Sequence, residues 1–183
     1  YHANALEALN YWRERGVKVM EIDMAKTLDG GFVALAHLMN PHYLKKLEIN
    51  PLKDNSEDKF SEAWFVRQKL CSKTTCGLTP MSLETICDLL DNDPDLIVMF
   101  DLWRMWDKEA TFIFANKLKE FLKQEGAKDR CVIEIYNKNM LAGVRECDND
   151  LNVIYCVHTH KEPEYEDNVS PGILKEMGIN IIS

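Results

Sequence analysis

The sequence predicts an α/β fold in one domain over residues 1–183, with parallel strands alternating with helices. Two observations carry this. Strand cores such as Leu96-Ile97-Val98-Met99-Phe100 and Cys131-Val132-Ile133 are apolar, as buried parallel strands are. Between them lie stretches with helical apolar spacing. Neither Gly-x-Gly-x-x-Gly nor a Walker loop is present, so no nucleotide fingerprint supports an open doubly wound sheet over a (β/α)8 barrel.

The elements follow in order. Leu6, Ala8, Leu9 and Trp12 form a helical stripe after Asn4, and Gly16 is its C-terminal stop. Val17 to Met24 alternates apolar and polar residues, the signature of a strand. Asp29-Gly30-Gly31 is turn chemistry, followed by a short strand from Phe32 to Ala36. Residues 40–78 read as a loop insertion, polar and broken by Pro41 and Pro51, with one helix around Ala63 to Leu70. Ser82 is the N-cap of the next helix, whose apolar face continues through Ile86, Leu89 and Leu90. A strand from Leu96 to Asp101, a helix from Lys108 to Gln124 closed by Gly126, and a strand from Cys131 to Tyr136 come next. A helix over Lys138 to Glu146, a strand over Leu151 to Val157, a helix over Pro171 to Gly178 and a strand over Ile179 to Ile182 complete the alternation.

The net charge of −8 argues against a nucleic-acid partner, which needs a Lys/Arg surface. It is compatible with a small phosphorylated substrate, because a carboxylate-bound cation supplies positive charge locally. No apolar run is long enough to span a membrane. The six cysteines contain no Cys-x-x-Cys pair and are expected to be reduced thiols in a cytoplasmic protein.

The chemistry is expected at three carboxylates. Glu21 and Asp23 are two residues apart on one strand, so both point to the same face. In a barrel that face is the interior, where two unpaired carboxylates repel and need a cation. Asp101 ends the next clear strand, where barrel enzymes place catalytic groups. The three together suggest an oxygen-rich site for a divalent metal, Mg²⁺ or Ca²⁺. His37 follows the turn and is a candidate proton donor or acceptor. Glu134, on the same side of its strand as Val132 and Tyr136, either helps this site or pairs with a buried base. Trp103 is a candidate wall of a substrate pocket, with core packing as its other role.

Asn4-Ala5-Leu6-Glu7-Ala8, Gly16, Glu21-x-Asp23, Asp29-Gly30 and His37, in this order, resemble the first block of the glycerophosphodiester phosphodiesterases. Thr79-Pro80-Met81-Ser82-Leu83 resembles that family's Thr-Pro-Leu segment, and Asp101 falls at its third metal ligand. The resemblance implies a TIM (β/α)8-type barrel in which Glu21, Asp23 and Asp101 hold the metal and His37 acts as general acid/base. It also implies hydrolysis of glycerophosphodiesters or a related lipid headgroup.

The sequence departs from the family in three places. No strand bearing His-Arg-Gly precedes the first helix, Trp103 stands where the family has Lys, and Leu38 follows His37 where the family has Asp. The strand count leaves the barrel incomplete, without its first strand and its last ones, so this chain is expected to be a fragment. The alternative these departures favour is a non-catalytic barrel relative that binds a phosphorylated ligand or a protein partner.

Overall fold

The computed structural model describes residues 4–27, 29–35, 61–71, 76–102 and 107–156. Helix α1 (Leu6–Arg13) leads into strand β1 (Val19–Lys26), which turns back through Asp29-Gly30-Gly31 into β2 (Phe32–Ala34). A one-turn helix α2 (Glu62–Phe65) precedes a small hairpin, β3 (Leu70–Cys71) and β4 (Cys76–Leu78). The chain then alternates regularly: α3 (Leu83–Asn92), β5 (Ile97–Asp101), α4 (Lys108–Phe121), β6 (Cys131–Ile135), α5 (Lys138–Cys147) and β7 (Asn152–Tyr155).

The main sheet has five strands in the order β2-β1-β5-β6-β7. The pairs β1/β5, β5/β6 and β6/β7 are parallel, as expected. β2 instead pairs antiparallel with β1, and only over Met24–Lys26. The turn between them is too short for a crossover and closes as a hairpin. Gly30 takes φ +78° there, while the Thr27 amide donates to the Gly31 carbonyl at 2.9 Å.

The helix boundaries have local causes. Ser82, Asp107 and Asn137 each accept a hydrogen bond from the amide three residues on, the N-cap arrangement that satisfies an otherwise orphaned donor. Gly16, at φ +82°, ends the turn after α1. Each expected element up to Tyr155 is present with ends moved by a few residues; the first strand, expected over Val17 to Met24, runs Val19–Lys26. The exception is the helix expected around Ala63 to Leu70, which is one turn long, with Leu70 in β3 instead. The final helix and strand expected over 171–182, and most of the expected loop insertion, lie outside the described residues.

The main core explains the architecture. Met20, Ile22 and Met24 of β1, Val98 and Phe100 of β5, and Ile133 and Ile135 of β6 leave the sheet on one face. They pack there against three successive helices, meeting Ile86 and Leu90 of α3, Phe114 and Leu118 of α4, and Leu141 and Val144 of α5. An open doubly wound sheet would place helices on both faces. Here α3, α4 and α5 share one face and the opposite face carries carboxylates, which is the layout of a barrel segment. A second, smaller cluster joins Ala5, Ala25, Val33, Leu35, Phe65 and Leu78, anchoring the hairpins.

Candidate metal centre

The strand alternation that sends Met20, Ile22 and Met24 into the core sends Glu21 and Asp23 to the other face. Asp23 is the register partner of Asp101, and Asp101 is the register partner of Glu134. Register partners in a parallel sheet project to the same side, so four carboxylates from three neighbouring strands share one surface. One carboxylate oxygen from each of Glu21, Asp23 and Asp101 lies within 4.8 Å of the other two. Glu21 is exposed, Asp23 half-buried, and Asp101 only 6% exposed.

Two neutral side chains hold this cluster. The Asn4 amide donates to Asp23 Oδ2 at 2.7 Å, from the lead-in to α1. The Tyr136 hydroxyl donates to Asp101 Oδ1 at 2.6 Å, from just past the end of β6. Burial pushes the Asp101 carboxyl up to about 7; the Tyr136 hydrogen bond opposes this, and the charges of Glu134, Asp23 and Glu21 add to it. Glu21 is raised as well, by burial first and then by Asp23 and Glu134. Tyr136 is pushed up by burial and by its bond to Asp101, so its hydroxyl remains a donor.

Anionic groups brought this close, in a site that resists their ionisation, match the needs of a hard divalent cation with oxygen ligands. The donor set fits such an ion. All the ligand atoms are carboxylate oxygens, with neither thiol nor imidazole among the described candidates.

Solved structures match this architecture over nearly the whole chain. A protein from Silicibacter pomeroyi assigned as a glycerophosphoryl diester phosphodiesterase superposes with a TM-score of 0.74 at 17% identity, over 98% of this chain and 68% of that one. The fold is that of the glycerophosphodiester phosphodiesterases. The glycerophosphodiester phosphodiesterase of Agrobacterium tumefaciens gives a TM-score of 0.62 at 14% identity, covering 99% of this chain and 69% of its own. One from Parabacteroides distasonis gives 0.61 at 17%, covering 98% and 65%. The chain therefore spans about two thirds of the length of these phosphodiesterase-fold proteins. No protein-family model matches the sequence, and neither does any curated protein.

Of the expected site residues, Glu21, Asp23 and Asp101 come together, and Glu134 lies beside them, 8% exposed. His37 and Trp103 lie outside the described residues. Sequence reasoning passed over Asn4 and Tyr136 as site residues. Tyr136 carried a signal, because it is two residues beyond Glu134 and continues the same face. Among the described residues no helix is long and apolar enough to cross a membrane.

Proposed function

We propose that this chain is the metal-binding part of a phosphodiester hydrolase acting on glycerophosphodiesters or a related lipid headgroup. The observation that carries this reading is the convergence of Glu21, Asp23 and Asp101 on the face of the sheet opposite the helices. Glu21, Asp23 and Asp101 would hold Mg²⁺ or Ca²⁺. When bound, such an ion supplies Lewis-acid stabilisation of charge on the phosphoryl oxygens.

The chain's own groups set the conditions for that chemistry. Asn4 and Tyr136 orient two of the three carboxylates. Buried Asp101 keeps one ligand out of bulk water, which strengthens its interaction with a cation. In this reading His37 moves a proton to or from the scissile oxygen, Trp103 borders the bound headgroup, and Glu134 contacts the substrate beyond the phosphate. In this reading the site of action is cytoplasmic, where cysteines stay reduced.

Calorimetric titration of the chain with Mg²⁺ and Ca²⁺, beside Asp101→Asn, tests the centre, and choline release from glycerophosphocholine tests the chemistry. Binding lost in the variant, together with hydrolysis, supports the proposal. Cation binding without hydrolysis, in a protein carrying any upstream segment, favours the non-catalytic relative suggested by Trp103. A folded chain that binds neither ion overturns the metalloenzyme reading.

A further inference from the structure

Asp101 and Asp23 do not each present two equivalent oxygens. Oδ1 of Asp101 receives the Tyr136 hydroxyl at 2.6 Å, and Oδ2 of Asp23 receives the Asn4 amide at 2.7 Å. Both donors are neutral. They leave the negative charge of the cluster in place and act on its orientation. They also reach the cluster from separate elements, Asn4 from before α1 and Tyr136 from after β6, so the two carboxylates are held independently of one another.

The geometry points to Asn4 and Tyr136 as positioning residues that restrict Asp23 and Asp101 to one-oxygen ligation and thereby favour Mg²⁺ over Ca²⁺. This inference rests on the metal-centre reading above and adds a selectivity to it. Mg²⁺ requires near-octahedral coordination at about 2.0–2.1 Å and retains several waters, so a few fixed single oxygens suit it. Ca²⁺ takes roughly 6–8 oxygens at about 2.3–2.6 Å and draws on bidentate carboxylates. A carboxylate with one oxygen already bound to a protein donor is biased against the bidentate mode. Freeing that oxygen lets the group rotate and offer both, which helps the larger ion.

The experiment is a pair of calorimetric titrations, Mg²⁺ alone and Ca²⁺ alone, on the unaltered chain, Tyr136→Phe and Asn4→Ala. Tyr136→Phe removes only the hydroxyl and keeps the ring, and Asn4→Ala acts from a different element. The unaltered chain is expected to bind Mg²⁺ at least as tightly as Ca²⁺. Each variant is expected to lose about 10-fold or more in Mg²⁺ affinity, the scale for removing a group that orients a ligand. The loss for Ca²⁺ is expected to be smaller, so the Mg²⁺/Ca²⁺ preference falls. Equal losses for both ions, no loss in either variant, or tighter Ca²⁺ binding by the unaltered chain would overturn the selectivity while leaving the metal centre intact. Failure of the unaltered, folded chain to bind either ion would instead overturn the centre itself.

Discussion

Asp23 and Asp101 are register partners on two adjacent parallel strands, two anions placed side by side with Asp101 almost fully buried. Ionised Asp101 opposes folding in the absence of a cation, through its burial first and then through the neighbouring carboxylates. Asp101→Asn is therefore expected to stabilise the metal-free chain at pH 8, because it removes a buried charge and leaves an oxygen for the Tyr136 hydroxyl. The gain is on the order of 2–4 kcal/mol, from the scale of linkage for a carboxyl raised this far. Urea denaturation with chelator present measures it, and an unchanged or lower midpoint would contradict it.

The same carboxyl sets a pH dependence. Asp101 is raised to about 7 in the fold, against about 3.9 in an unfolded chain. The folded state thus holds the proton more tightly than the unfolded one. The stabilisation from protonated Asp101 is complete below about pH 4 and is lost as pH rises to about 7. Carboxylates lowered by partners, such as Asp93 beside Arg13, run the opposite way, so the difference from Asp101→Asn isolates the effect. The stability gap between variant and unaltered chain is expected to widen from about pH 4.5 to about 7 and then level off.

Gly143 in α5 is buried where a Cβ would collide with the carbonyl of Lys108 and lie 3.0 Å from the Phe112 amide nitrogen of α4. Alanine is the better helix former by about 1 kcal/mol. Overpacking against rigid backbone costs about 1–3 kcal/mol, so Gly143→Ala is expected to lower the thermal midpoint despite its propensity. A raised midpoint would mean that α4 and α5 can separate freely.

Arg130 gathers the carbonyls of Leu90, Asp93 and Leu96 at 2.7, 2.7 and 3.0 Å, tying the end of α3 to the start of β5. Arg130→Met keeps most of the side-chain bulk and removes all three hydrogen bonds. It is expected to cost about 2–3 kcal/mol, the range for hydrogen bonds to a charged donor. Chemical denaturation reads it, and metal affinity is expected to stay unchanged, since Arg130 sits at the opposite end of the strands from the carboxylates.

Phe114 meets Phe32 and Phe100 edge-on, with ring centroids 5.2 and 5.4 Å away, joining α4 to both β2 and β5. Phe114→Ala leaves a cavity among three elements and is expected to destabilise by about 3–5 kcal/mol. Calorimetric unfolding tests it.

Much of this was legible in the sequence, because it depends on periodicity. The apolar cores of β5 and β6, the caps Ser82 and Gly16, and the shared face of Glu21 and Asp23 all follow from spacing within one segment. The Tyr136–Asp101 and Asn4–Asp23 bonds join residues 35 and 19 positions apart. Which residue of one strand meets which residue of the next is set by register, and no local pattern encodes that. The β3–β4 hairpin escaped because strands of two and three residues are too short to show an alternation.

The division of β1 between its two faces has a consequence for how such a chain changes over generations. Met20, Ile22 and Met24 answer to folding, whereas Glu21 and Asp23 point away from the core and, under the proposed function, answer to chemistry. Selection for a sturdy molecule and selection for a reactive one therefore act on alternate letters of the same eight-residue word. If the proposed function holds, a chain released from it would be free to lose these carboxylates while the apolar letters, and with them the architecture, stayed fixed.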